Sequence, residues 1–318
     1  MHRGALFVAL ASLTIPCGIT MTASAEESTI HVGAIDALLS MPPDVRRPPV
    51  ALLIAGSGPT DRDGNGPGGR PATLKKLSEQ LAARKIAALR YDKRGSNGWK
   101  ADWGAIEDFR FKDYVEDAVA LLRYLRDSGK FSRTILVGHS EGGLVAILTA
   151  QHAPPDRLVL LASAARRQGD LLTEQLSRQL PPGAMKATAG FIEAIMAGRI
   201  VDPVPPDVPP PLAFAPSAQP GLASAFAIDP IPPLKSLGMP ILIAAGGRDR
   251  QVGKVDFEML KAAAPMARTV WLPEMNHVLN DVGDDADDVA AYNQPERALD
   301  AALINSIATF VLEDGLGR

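Results

Sequence analysis

The chain has 318 residues, of which 46% are hydrophobic and 22% charged, with a formal net charge of −3. That length carries one large α/β core, and the composition is ordinary for a soluble globular enzyme. The weak negative balance, with no basic patch interleaved with aromatics, argues against nucleic acid or an anionic membrane surface as a partner.

The chain opens on "MHRGALFVALASLTIPCGITMTASAEES". A short basic start at His2 and Arg3, an apolar run and "ASA" before Glu26 predict a signal peptide over residues 1–25, cleaved after Ala25. The expected location is therefore periplasmic or secreted. Pro16 and Gly18 interrupt the run, so no stable membrane span is expected after cleavage. Cys17 is the only cysteine, and cleavage removes it, leaving a mature chain without disulfides or thiol chemistry.

"STIHVGAIDALLSMP" alternates enough for one or two strands ending at Pro42-Pro43. Val50 to Ile54 reads as a buried strand, followed by a long Gly/Asp/Pro loop. "LKKLSEQLAARK" has helical spacing at Leu74, Leu77 and Leu81, and "IAALRYDKRG" is a strand running into a loop. "FKDYVEDAVALLRYLRDSG" puts Tyr114, Val115, Ala118, Leu121, Leu122 and Leu125 on one helical stripe that stops at Gly129. "RTILVGHS" is a strand, "GGLVAILTAQHAPP" a helix stopped by prolines, and "DRLVLLASAA" the next strand. The rhythm resumes at "MPILIAAGGRDRQV" (strand, loop), "VDFEMLKAAAP" (helix) and "ARTVWLPEMNHVL" (strand, loop). A last helix is expected from about Pro295 to Leu312.

Continuous apolar strands alternating with amphipathic helices predict an α/β fold: a mostly parallel central sheet with helices on both faces. Between Arg166 and Leu237 the rhythm breaks into two amphipathic stretches and a proline-rich segment. So many prolines argue against helix interiors and central strands there. Leu212, Phe214, Leu222, Phe226 and Ile228 supply apolar anchors, so residues 166–237 read as a cap inserted into a core made of 26–165 and 238–318.

Gly138-His139-Ser140-Glu141-Gly142 is a complete G-x-S-x-G between a buried strand and a small-residue helix. A sharp strand-to-helix turn strains the serine backbone and leaves no room for side chains two positions either side, so Gly138 and Gly142 must be small. The turn lifts the Ser140 hydroxyl to the positive end of the following helix.

Such a hydroxyl needs a base, and the base an orienting acid. Of five histidines, His2 leaves with the signal, His31 lies in the early strand region and His152 ends a helix in solvent. His139 reads as a packing residue pointing away from the serine. His277, in the loop after the last strand, completes the order Ser, acid, His. Asp249, directly after the penultimate strand, is the acid by position, although an Asx turn is an alternative reading of the same residue. Asp256, expected in a helix, is the weaker candidate. The acidic run Asp281, Asp284, Asp285, Asp287, Asp288 lacks the glycine and terminal glutamate of a calcium loop and reads as solvated, with no metal site expected.

An oxyanion needs two backbone N–H donors. Glu141 supplies one; Ser57, in the loop where Gly56 and Gly58 allow close approach, supplies the other. Asp61, Arg62 and Asp63 are expected to brace that loop through turn hydrogen bonds and ion pairs, with Lys93 or Arg94 as partners.

With these residues placed, the chain resembles the α/β-hydrolase superfamily, and within it the bacterial serine esterases whose oxyanion loop reads GSGPxDRDGN. That group is also labelled serine aminopeptidase-like hydrolases. "GSGPTDRDGN", "RYDKRG", "DYVEDAVALLRYLR", "GHSEGG", "GGRDRQV" and "MNHVL" carry the resemblance collinearly from residue 56 to 279. It implies Ser140 as nucleophile, His277 as base and Asp249 as orienting acid. Many relatives begin the oxyanion loop with His-Gly where this chain has Ala55-Gly56, a change that backbone donors tolerate.

The expected activity is hydrolysis of a small-molecule carboxylic ester through an acyl-enzyme, with no metal or organic cofactor. The alternatives are a peptidase or amidase of the same fold, holding an amine on Glu174, Glu193, Asp202, Asp207 or Asp229, and a non-catalytic binding protein on a hydrolase scaffold.

Overall fold

Period-two alternation within the apolar strands decides which side of the sheet each residue serves. The computed structural model describes residues 25–96, 104–212 and 214–314. The expected signal segment, with Cys17, lies outside the described residues except for Ala25.

Eight strands form one open sheet: β1 (Glu26–Val32), β2 (Ile35–Met41), β3 (Val50–Ile54), β4 (Ala87–Tyr91), β5 (Thr134–His139), β6 (Arg157–Leu161), β7 (Ile241–Gly246) and β8 (Arg268–Leu272). Their spatial order is β1-β2-β4-β3-β5-β6-β7-β8. The β1–β2 and β2–β4 pairs are antiparallel and every other pair is parallel. Within β3, Leu52 and Ile54 join the apolar layer shared with α2 (Phe111–Asp127) and α3 (Glu141–His152), whereas Ala51 and Leu53 join the layer shared with α1 (Thr73–Ala82) and α10 (Ala301–Leu312). Burial on both faces is why β3 and β5 read as unbroken apolar runs. Each fully buried Leu or Ile there contributes roughly 1.5–3 kcal/mol, so the sheet centre is the rigid frame for the loops that leave it.

Residues 166–237 run outside the sheet between β6 and β7. They hold α4 (Gln168–Ser177), α5 (Pro182–Met196), a 3₁₀ turn, α6 (Gln219–Phe226) and α7 (Ile231–Lys235). The prolines do not prevent these helices. Pro182, Pro220 and Pro232 fall in first turns, where the missing N–H would have had no partner. α6 packs on α2, with the Ser224 hydroxyl accepting the Phe111 N–H at 2.8 Å.

Two C-terminal expectations are corrected. The acidic run is solvated only in part: Asp281, Asp284 and Asp285 are exposed, but Asp284 caps α9 (Asp285–Ala291) through the Asp287 N–H at 2.8 Å, and Asp288 is buried. The last helix begins at Ala301, not near Pro295. Asp300 caps it through the Leu303 N–H at 2.7 Å, while the Arg297 and Ala298 carbonyls are taken by Lys76 (2.8 Å) and Asn280 (2.6 Å) side chains. Carbonyls spent on side chains and a capping aspartate hold 295–300 out of the helix.

Asp256 is helical as expected, in the first turn of α8 (Lys254–Ala263), and wholly buried. It accepts the Ala165 N–H at 3.0 Å and Arg166 Nη2 at 2.7 Å, fixing the chain where it leaves the sheet after β6.

Two stability changes are expected. Asp256→Ala leaves the buried Ala165 N–H without its acceptor and Arg166 with Glu174 as its remaining partner, and should cost about 2 kcal/mol by urea unfolding; a loss below about 0.5 kcal/mol would contradict this anchoring role. Gly190→Ala, where no atom lies within 4 Å of the added methyl on α5, should raise stability by roughly 0.5–1 kcal/mol.

Candidate active site

The loops after β3, β5, β7 and β8 all leave the carboxyl ends of parallel strands, where open α/β sheets gather their ligand sites. The tightest is the turn from β5 into α3. A Cβ on Gly138 would sit 2.3 Å from the Gly142 carbonyl oxygen, and one on Gly142 would sit 2.3 Å from that of Ile54. Backbone occupies both places, so neither clash can relax. Between them Ser140 takes φ 54° and ψ −123°, a strained conformation for a residue with a side chain. Its N–H donates to Leu161 O at 2.9 Å, and its carbonyl accepts the Gly143 N–H at 2.9 Å.

The loop after β7 carries Asp249, whose two carboxylate oxygens do different work. Oδ1 accepts the N–H groups of Gln251 and Val252, each at 2.8 Å, which is the Asx turn weighed from the sequence. Oδ2 faces His277 Nδ1 at 2.8 Å, with the Asp249 side chain fully buried. With Nδ1–H donating to that carboxylate, the Nε2 lone pair is left to face Ser140 Oγ at 3.0 Å. A hydroxyl so placed is poised to lose its proton to the imidazole.

The loop after β8 that presents His277 is pinned by polar groups the sequence did not single out. Asn276 donates from Nδ2 to buried Asp288 at 2.9 Å and accepts the Asn280 N–H at 3.0 Å. His139 is buried as expected, yet it is more than packing: Nε2 donates to the His277 carbonyl at 2.8 Å, and the two rings lie 5.1 Å apart. Burial first, and the neighbouring His277 second, push the His139 imidazole down to about 4, so it stays neutral beside His277. His31 is exposed and pairs with Asp36, and His152 is exposed on α3.

The loop after β3, expected to carry an oxyanion donor, lies directly against the elbow; a Cβ on Gly56 would come within 3.2 Å of Ser140 Cβ. Among the described residues, the N–H groups of Ser57 and Glu141 have no protein acceptor. The loop's brace differs in part from the one expected. Asp61 makes the turn bonds, accepting the Asp63 and Asn65 N–H groups at 3.0 and 2.8 Å. Arg62, however, pairs with Asp92, and Asp63 with Arg90, rather than with Lys93 or Arg94. Strand alternation explains the shift: Arg90 and Asp92 point toward the loop, whereas Lys93 turns inward and Arg94 pairs with Asp117. Lys93, fully buried, donates to Gly56 O at 2.8 Å and Glu141 Oε1 at 2.7 Å. A carboxylate immediately after the elbow serine was the sequence signal that a buried cation would be needed.

α4 reaches two of these loops. Gln168 Nε2 donates to Glu141 Oε2 at 3.2 Å, and Gln175 Nε2 to the Gln251 carbonyl at 2.8 Å. A groove of about 780 Å³ between α2, α3 and α6 is lined by Phe111, Val115, Val119 and Leu148, and not by Ser140, Asp249 or His277. Among the described residues, no group of three or more His, Cys, Asp or Glu side chains is placed to hold a metal ion, and no helix is long and apolar enough to cross a membrane.

Comparison with known proteins agrees with this architecture. Esterase EstD of Thermotoga maritima is 28% identical over 261 residues, covering 80% of this chain and 56% of that protein. The chain thus spans little more than half the length of the curated relative it matches. Est1E from Butyrivibrio proteoclasticus superposes with a TM-score of 0.54 at 16% identity, over 91% of this chain and 98% of that one. Dipeptidyl peptidase 4 of Porphyromonas gingivalis gives 0.55 at 14%, over 90% and 35%. At such identities the two solved structures share the fold alone. Residues 51–292 match the alpha/beta hydrolase family, and with its open, mostly parallel sheet the chain belongs to that family.

Proposed function

We propose that this chain is a serine hydrolase that cleaves carboxylic esters of small molecules through an acyl-enzyme. The observation that carries the reading is the line from Asp249 Oδ2 through the His277 ring to Ser140 Oγ, at 2.8 and 3.0 Å, with the serine held at positive φ. Ser140 attacks the ester carbonyl while His277 Nε2 takes its proton. The Ser57 and Glu141 N–H groups receive the tetrahedral oxyanion, and His277 returns the proton to the leaving alcohol. Water then enters by the same route and releases the acid. Asp249 keeps Nδ1 protonated and steadies the imidazolium. These steps draw on no metal or organic cofactor.

The similarity to an esterase supports ester over amide chemistry, as does the "GSGPTDRDGN" loop that resembles bacterial serine esterases. So do the carboxylates of 166–237. Glu174 is already paired with Arg166 and Arg178, and Glu193, Asp202, Asp207 and Asp229 are exposed. In this reading residues 166–237 form a cap over the site, and their Pro- and Ala-rich composition fits a small or medium apolar acyl group. The signal pattern of residues 1–25 places the mature enzyme in the periplasm or outside the cell.

Hydrolysis of a p-nitrophenyl ester series, from acetate to octanoate, tests the reaction. Ser140→Ala and His277→Ala should each lower kcat by at least about 10⁴-fold with the fold intact by circular dichroism. A Ser140→Ala protein that turns over like wild type would end the proposal; inactivity toward esters with turnover of amino-acid amides would replace it by the amidase reading.

A second outcome concerns acid. His139 sits at about 4 in the folded chain against an ordinary value of 6.5, so the unfolded chain takes up this proton first as pH falls. Its contribution is fully present above about pH 6.5 and is lost between about 6.5 and 4, on the order of 3 kcal/mol in all. His139→Gln, which retains an N–H donor for the His277 carbonyl, should flatten that part of the stability–pH curve. Parallel urea-unfolding curves for the two proteins from pH 7 to 4.5 would contradict the assignment.

A further inference from the structure

Lys93 lies at the centre of this site, yet the reaction steps give it no part. Its side chain is fully buried and that of Glu141 nearly so, and the ring of Tyr114 lies 4.1 Å from the ammonium. A buried ion pair of this kind adds little net stability, because desolvating both groups costs about as much as their attraction returns. What the pair does fix is geometry.

We propose that Lys93 is a positioning residue for the oxyanion hole, acting on both halves through the Lys93–Glu141 pair; the proposal rests on Ser57 and Glu141 being the backbone donors. The Gly56 carbonyl that Lys93 holds at 2.8 Å and the Ser57 N–H belong to one planar peptide unit. A hydrogen bond from an ammonium to that oxygen sets the rotation of the plane, and so the direction of the Ser57 N–H. It also polarises the amide, making the N–H a stronger donor to a developing oxyanion. The Thr60 hydroxyl donates to the Ser57 carbonyl at 2.9 Å and holds the next peptide plane in turn. On the other half, the same ammonium grips Glu141 Oε1 at 2.7 Å, tethering the residue whose N–H is the second donor. Glycine imposes no side-chain restraint on its peptide planes, so apart from a long 3.5 Å bond from the Thr60 hydroxyl this carbonyl takes its direction from Lys93. One cation therefore registers the β3 loop against the elbow. Gln168 takes the remaining Glu141 oxygen at 3.2 Å, so α4 is joined to the same assembly.

The test uses the whole mature protein and the double variant Lys93→Met/Glu141→Gln, which removes both charges at nearly constant volume. Active sites are titrated to completion with a fluorophosphonate, and p-nitrophenyl butyrate turnover is expressed per titrated site. Deleting an oxyanion donor outright costs about 10²–10³-fold in kcat, so misplacing one should cost roughly 10- to 100-fold. KM should stay within about twofold, as expected when an interaction made only in the transition state is lost. The inhibition constant of an aryl trifluoromethyl ketone, whose serine adduct puts an oxyanion in the hole, should weaken in parallel. Glu141→Gln alone leaves Lys93 an acceptor and should lose less. A purely structural pair would lower Tm and the number of titratable sites but leave kcat per site and ketone affinity unchanged, and that result would overturn the role of Lys93. A wild-type protein with neither turnover nor Ser140-dependent labelling would instead sink the hydrolase reading itself, and this proposal with it.

Discussion

Ser140 stands at φ 54°, a conformation that costs a residue with a side chain on the order of 1–3 kcal/mol, and much of its surroundings follows from keeping it there. The turn closes only because Gly138 and Gly142 let backbone pass within 2.3 Å of where their Cβ atoms would be. It stays closed because β5 lies between β3 and β6 at the centre of a sheet buried on both faces. The strain is carried by that packing rather than by any one bond. An edge strand such as β8, half-exposed along most of its length, would hold such a turn less firmly.

Around this point the polar groups act as registers between loops. Asp249 divides its oxygens between closing its own turn and holding His277, so one carboxylate sets both the shape of the β7 loop and the tilt of the imidazole. His139 ties the elbow to the β8 loop through the His277 carbonyl, and burial keeps it neutral so that it adds no positive charge beside that ring. Lys93 ties the elbow to the β3 loop. Each contact joins two segments that are distant in sequence and adjacent at the sheet's carboxyl edge.

The excursion from 166 to 237 is fastened to the same frame. Arg166 is held by Asp256 on α8 and by Glu174 on α4, while Gln168 and Gln175 reach Glu141 and the Gln251 carbonyl. A shift of α4 would therefore be felt at the elbow and at the loop carrying Asp249 together. The prolines restrict this stretch without preventing helices, because they fall where a helix start has a donor to spare.

Features that are local and periodic could be read from the residues alone. β3 is found from Val50 to Ile54 as read; α2 ends at Asp127, two residues before Gly129; and the small residues flanking Ser140 forecast a tight turn because the steric demand is contained in five residues. Ser140, Asp249 and His277 were legible as candidates because each follows a recognisable apolar strand. Pairing between distant side chains was settled by the fold. Arg62 finding Asp92, Lys93 turning to Glu141, Asn276 meeting Asp288 and His139 reaching the His277 carbonyl all depend on which loops the strand order brings side by side. Local sequence carries no record of that. The start of α10 was misread for the same reason: helical propensity near Pro295 was overridden by carbonyls that Lys76 and Asn280 claim from elsewhere in the chain. Periodicity is written in neighbours along the chain, whereas a buried charge or amide takes its partner from whatever the fold sets beside it.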